Sequence, residues 1–154
     1  MKVNKMKVMV IWPPHIPLYF NSAYHLMMWE VVSYLRGIRN VGSVKGIDAG
    51  VLNYTYPELL HEIISFEPEL LAIQVDFDNL EGFKQTILMI KEMKPEIKIV
   101  VYGRLPSLIP KFFTKYDIDA IVYSGDWEIG IENYLQYIIG NLDFDDIRGI
   151  YIKN

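Results

Sequence analysis

Asp76 and Asp78, two residues apart in the stretch Gln74-Val75-Asp76-Phe77-Asp78-Asn79, are an acidic pair of the kind that binds a cation or a polar ligand, with Arg104 as a further candidate residue of such a site. Three histidines accompany them: His15 lies between Pro14 and Ile16, where it suits ligand contact, His25 starts a helical pattern as a capping or packing residue, and His61 sits beside Glu62 as a solvated side chain. Tyr102-Gly103-Arg104 and Tyr123-Ser124-Gly125-Asp126-Trp127-Glu128 each place a glycine just past an apolar run, where the missing Cβ lets a flat group approach the backbone. The same residues also have a structural use, since Ser124 or Asp126 can cap the helix that follows and Glu128 suits its first turn. The 154 residues contain no cysteine, which excludes a disulfide framework, a zinc knuckle and a cysteine-held cluster. No residue is assigned as catalytic or as a metal ligand.

Continuous apolar runs must hold these residues in place. They recur at Lys7–Trp12, Val44–Ile47 (shorter and weaker), Leu70–Val75, Ile97–Tyr102 and Ile118–Tyr123. Runs apolar on both faces suit parallel strands covered on both sides. Between them come helical patterns: His25–Arg39 with Met28, Val31, Val32, Leu35 and Ile38 on one stripe and Trp29 expected in the core, then Tyr56–Phe66, Leu80–Lys94 and Trp127–Ile139, the last closing at Gly140. Pro106 and Pro110 leave room in the fourth crossover for a short helix from about Pro110. The expected fold is α/β, a doubly wound five-stranded parallel sheet of flavodoxin or Rossmann type in the order 2-1-3-4-5, spanning residues 1–140. Residues 141–154 are expected to form a short final strand or arm leading towards a possible further module.

In such a sheet the ligand binds outside the carboxyl ends of the strands. The first loop, Trp12-Pro13-Pro14-His15-Ile16-Pro17-Leu18-Tyr19-Phe20, has neither GxGxxG nor a phosphate loop, and its three prolines remove three backbone donors. It offers apolar and aromatic walls instead. A receiver domain of response regulators would need an acid pair after the first strand and a lysine after the fifth; Trp12-Pro13 and Ser124-Gly125 stand there, leaving Asp76 alone.

Pro13-Pro14 after strand one, Gly103 after strand four and Ser124-Gly125-Asp126-x-Glu128 after strand five resemble the cobalamin-binding domain of cobalamin-dependent radical SAM enzymes. The likeness spans nearly the whole chain, and Asp146-Ile147-Arg148-Gly149-Ile150-Tyr151 is similar to the segment joining that domain to the catalytic barrel. The chain departs from the pattern at Trp12, where Asn is usual, and at Asp126-Trp127, where Glu-Gly is usual. The resemblance implies a cobalamin site formed by Pro13, Pro14, His15, Tyr19, Asp48, Gln74, Val75, Asp76, Phe77, Gly103, Arg104, Ser124, Gly125, Asp126 and Glu128. None of His15, His25 and His61 has the Asp two residues earlier that marks a cobalt-ligating histidine, so base-off cobalamin without a histidine ligand is expected, its lower face covered by Gln74–Phe77.

Lacking the three cysteines of radical SAM chemistry, the chain is expected to be a binding module. Its partner would be a catalytic domain, in the same or another chain, that brings S-adenosylmethionine and an iron–sulfur cluster and acts as a methyltransferase. Other readings are a stand-alone flavodoxin-like sensor or enzyme that binds a small molecule or metal through Asp76, Asp78 and Arg104, a receiver-like signalling domain, and a pseudo-domain kept for partner contact. A net charge of −4 argues against nucleic acid, and no window has the ~18 apolar residues needed for a membrane span, so a cytoplasmic location is expected.

Overall fold

The computed structural model describes residues 5–15 and 25–153. The chain runs β1 (Met6–Trp12), α1 (Leu26–Arg36), β2 (Val41–Asp48), α2 (Tyr56–Phe66), β3 (Leu70–Gln74), α3 (Leu80–Met93), β4 (Lys98–Tyr102), α4 (Arg104–Leu108), α5 (Pro110–Phe113), β5 (Ala120–Val122), α6 (Trp127–Ile138) and β6 (Ile150–Ile152). The strands form one sheet in the order β2-β1-β3-β4-β5-β6. Five are parallel in the expected order, and β6 adds antiparallel to β5.

Strand side chains alternate between two apolar layers. Val8, Val10, Leu70, Ala72 and Val100 face α1 and α6, whereas Met9, Ile11, Leu71, Ile73, Ile99 and Val101 face α2, α3 and the short helices. The predicted stripe of α1 is buried at Met28, Val31, Val32 and Leu35. Helix α2 begins as its sequence directs: Thr55 and Glu58 form a reciprocal capping box with Pro57 in the first turn. Gly140, at φ +79°, follows the last turn of α6 in the conformation expected of it.

Three elements differ from the sequence expectation. Strand β2 has eight residues and not four; as an edge strand it pairs on one side and exposes Gly42 and Ser43, so no continuous apolar run marks its full length. The fourth crossover holds two short helices, because Pro106 falls in the first turn of α4, where a missing N–H costs no helical bond. Trp29 was expected in the core, but α1 overhangs the sheet edge; the indole lies on the Gly46 backbone and is 36% exposed.

Candidate functional site at the carboxyl edge of the sheet

The last residues of β2, β1, β3 and β4 form a row on the α1 and α6 face. Trp12 pairs in register with Asp48, and Gln74 with Tyr102. Apolar layers below this row give way to polar groups within it, and all four residues are almost fully buried. Such groups require partners.

Two of the four find them. Asp48 accepts from the Val51 N–H (3.1 Å) and lies 2.7 Å from His25 Nδ1. His25 precedes α1, and its ring is stacked flat on Trp12 at 3.4 Å between centroids. The Trp12 indole N–H donates to His15 Nδ1 (3.1 Å), so a neutral His15 carries its proton on Nε2. His15 in turn sits against Gly50, where a Cβ would strike its ring. His25 is thus the packing residue expected from its place at a helix start, and His61 is exposed on α2.

The other two are left with one polar atom each unmatched. Gln74 Oε1 and the Tyr102 hydroxyl are buried without a hydrogen bond among the described residues. Burial, aided by the Asp76 charge, holds the Tyr102 pKa well above its ordinary value and keeps the hydroxyl protonated. Asp76 accepts from the Arg104 backbone N–H (2.9 Å) and lies 3.4 Å from both the Arg104 guanidinium and Gln74 Nε2. Its carboxylate is therefore engaged with the α4 terminus, and Asp78 does not join it. Among the described residues no three His, Asp or Glu side chains are gathered as a metal site.

Sequence reasoning gave Asn79 no role, yet this fully buried side chain fixes the third loop. It accepts from the Asp76 N–H (2.8 Å) and donates to the Gln74 carbonyl (2.9 Å). The available signal was an Asn three residues after an Asp in a polar loop, an arrangement that favours side-chain to backbone bonding. Asn79→Ala is expected to lower the unfolding free energy by about 2–4 kcal/mol, because two buried backbone groups lose their partners together. Urea unfolding should show a lower midpoint at unchanged slope.

The loop held in this way exposes Phe77, at 67%. Leu26 at the start of α1, Leu52 after β2 and Tyr123 after β5 are likewise exposed around the same edge. A wide, flat, largely apolar group matches that rim, and the buried donor and acceptor of Tyr102 and Gln74 suit polar substituents on it. The residues present therefore fit a corrin. A cavity of about 580 Å³ opens at the opposite edge among Met6, Ile63, Pro68, Ile97 and Ile138, where alkyl groups and surface charges meet and no described residue leaves a buried polar atom unpartnered.

The remaining expected site residues divide by position. Pro13 and Pro14 are buried in the first loop, and the Pro14 carbonyl rests against Gly82 of α3. Tyr19 lies outside the described residues. Val75 turns into the core beneath α2 and α3. Gly103, at φ +119°, has its open side filled by the Val75 backbone, whereas Gly125, at φ +85°, has nothing within 4 Å of where a Cβ would stand. Ser124 and Asp126 are exposed; Asp126 precedes α6 without making a capping bond. The Ser124 N–H donates to the Gly149 carbonyl (3.2 Å), so the segment before β6 clamps the fifth loop. Glu128 looks along α6 towards Tyr34, whose hydroxyl is pushed up to about 12, mainly by its bond to Glu132, then by burial and the charges of Glu132 and Glu128.

No helix among the described residues is long and apolar enough to cross a membrane. No family model matches the sequence, and no curated protein does. Solved structures do match. The cobalamin-dependent S-adenosylmethionine radical enzyme OxsB, with aqua-cobalamin bound, superposes at a TM-score of 0.81 and 18% identity over 99% of this chain. The chain spans 21% of that enzyme's length. The methanol:cobalamin methyltransferase complex MtaBC from Methanosarcina barkeri matches at 0.63, with 16% identity over 94% of this chain and 51% of that one. The isolated receiver domain of RcsB from Salmonella enterica serovar Typhimurium matches at 0.60, with 14% identity over 91% and 93%. The chain thus has the flavodoxin-like fold that cobalamin proteins and receiver domains share, and it has it at nearly full length in common with a region of a cobalamin-dependent radical enzyme.

Proposed function

We propose that this chain is a cobalamin-binding domain that holds the corrin at the carboxyl edge of its sheet, as part of a radical SAM enzyme of methyltransferase type. The observation that carries this reading is Phe77, a large apolar side chain held out at the strand ends by a loop fixed through Asn79, Asp76 and Arg104. With Leu26, Leu52 and Tyr123 it makes a group of exposed apolar side chains around that edge, which supports a binding surface there.

Bound cobalamin supplies a cobalt centre that can carry a methyl group. The protein's part would be to cover one corrin face with the Gln74–Phe77 loop through its exposed Phe77, to back the first-loop edge with the buried Pro13 and Pro14, and to set the exposed Ser124, Gly125 and Asp126 beside the ring. The local chemistry favours cobalt without an imidazole. His61 is on α2, away from this edge, and His15 holds its Nδ1 acceptor on Trp12, which leaves a protonated Nε2 unsuited to ligation. His25 is clamped flat between Trp12 and Asp48 with 14% of its side chain exposed. The engaged Asp76 carboxylate speaks against a metal-binding sensor, and its burial beneath Arg104 against a receiver-type phospho-acceptor.

Titration of the purified chain with hydroxocobalamin tests the proposal by visible absorbance and calorimetry under oxidising and reducing conditions. Binding close to one equivalent is expected. The cob(II)alamin complex should show no nitrogen splitting from a protein imidazole in its paramagnetic resonance spectrum, and His25→Ala should leave that spectrum unchanged. Absence of both absorbance change and heat overturns the cobalamin reading; imidazole splitting overturns the ligand assignment.

A further inference from the structure

Gln74 and Tyr102 are register partners on adjacent strands, so their side chains leave the same face of the sheet side by side. Both are at least nine-tenths buried, and among the described residues Gln74 Oε1 and the Tyr102 hydroxyl reach neither each other nor any other hydrogen-bonding group. The amide orientation is fixed by its neighbour: Nε2 faces Asp76 Oδ2 at 3.4 Å, and the reverse placement would set two acceptors against each other. The site therefore presents one acceptor, Gln74 Oε1, and one donor, the Tyr102 hydroxyl. An anion would meet both the Gln74 acceptor and the Asp76 carboxylate, and a cation finds Asp76 already paired with Arg104. The matching group is uncharged and carries a donor and an acceptor together.

Trp127 packs over the Tyr102 ring. Its ring lies 5.8 Å from that of Tyr102, tilted by 56°, and the indole N–H is held by Ser107 Oγ at 3.3 Å. Trp127 is the first residue of α6 and follows Gly125, which has open space around it, and Asp126, whose side chain makes no capping bond. Lifting the indole breaks one hydrogen bond and its partly buried packing against Tyr102 and the core, and no cap.

We infer that Gln74 Oε1 and the Tyr102 hydroxyl form a two-point site for one uncharged hydroxyl or carboxamide group of the bound corrinoid, reached by displacement of Trp127. The inference rests on the cobalamin reading. Two parts of cobalamin offer this chemistry: the amide side chains of the corrin and the ribose hydroxyl of the nucleotide tail. Cobinamide keeps the first and lacks the second.

The test compares the parent chain, Tyr102→Phe and Trp127→Ala for thermal unfolding without ligand and for binding of hydroxocobalamin and cobinamide. Tyr102→Phe removes a buried hydroxyl that has no partner, so the melting temperature of the ligand-free chain should be unchanged or higher. Its affinity for hydroxocobalamin should nevertheless fall about three- to tenfold, the worth of one hydrogen bond. Trp127→Ala should bind faster than the parent. An equal loss with cobinamide assigns the carboxamide as occupant, and a loss confined to hydroxocobalamin assigns the ribose hydroxyl. A lower melting temperature for Tyr102→Phe, or undiminished affinity for both corrinoids, overturns the two-point site. Unaccelerated binding by Trp127→Ala overturns the displacement. A parent chain that binds neither corrinoid fails at the cofactor itself, an outcome distinct from failure of the variants.

Discussion

Gly103→Ala is expected to lower the unfolding free energy by about 3 kcal/mol or more, and Gly125→Ala by about 1 kcal/mol, although both glycines follow buried strands on the same rim. Gly103 combines φ +119° with ψ −172°, a region open essentially to glycine alone. A Cβ there would stand 2.6 Å from the Val75 carbonyl oxygen and 3.0 Å from its amide nitrogen. Neither atom can give way. The Val75 N–H donates to the Tyr102 carbonyl at 2.8 Å, and its carbonyl accepts from the Leu105 N–H at 3.3 Å. Displacing Val75 would also move Asp76, which receives the Arg104 N–H, so the strain would pass directly into the third loop. Gly125, at φ +85°, meets nothing within 4 Å and would bear the conformational cost alone. Urea unfolding of the two variants measures the contrast, and equal midpoints would show that close approach to Val75 has no energetic weight.

The difference between these glycines marks how far the sequence could lead. Both satisfy the same sequence rule, a Gly just past a buried strand, but one serves the packing of two strand ends and the other leaves a surface open. Periodicity carried the fold well because it reports burial directly. The stripe of α1 and the runs at Leu70–Val75 and Ile97–Tyr102 each place apolar groups where one layer must cover another. It carried less at β2, whose edge position relaxes the demand for apolar residues on both faces, and at Trp29, whose apolar neighbours say nothing of the helix overhanging the sheet.

The candidate site was legible as a set of loops but not as a set of contacts. Gln74–Phe77, Gly103 and Ser124–Asp126 follow from the rule that an open parallel sheet binds at its carboxyl edge. The pairing of His25 with Asp48 joins residues 23 positions apart in the chain, and Asp76 with Arg104 joins residues 28 apart, so neither has a local signature. Tyr102 looked like the last residue of a buried strand. Its unpartnered hydroxyl appears only when the neighbouring side chain in the sheet is known to be Gln74 and the helix residue above it Trp127.

Gly82→Val is the substitution expected to separate binding from folding most clearly. In an isolated helix, replacing glycine in α3 should help, since glycine costs about 1 kcal/mol there relative to alanine. In this chain the first turn of α3 carries the first loop: a Cβ at residue 82 would collide with the Pro14 carbonyl, a backbone group that no rotamer change can remove. Accommodation must come from Pro13–His15, because α3 is anchored beneath the sheet by Phe83, Ile87 and Ile90. Moving that loop draws His15 away from Trp12 and from Gly50, which loses the 3.1 Å indole bond and unseats the wall proposed to border the corrin. The Trp12 indole N–H resonance should shift, reporting the displaced histidine whether or not cofactor is present. Hydroxocobalamin affinity should fall by about tenfold or more, since a displacement beyond about 0.5 Å is enough to disorganise a binding site. The unfolding midpoint should change far less than for Gly103→Ala, because the sheet and its two apolar layers remain as they are. An unmoved Trp12 resonance together with parental affinity would mean that α3 yields instead of the loop, and that Gly82 serves helix packing alone.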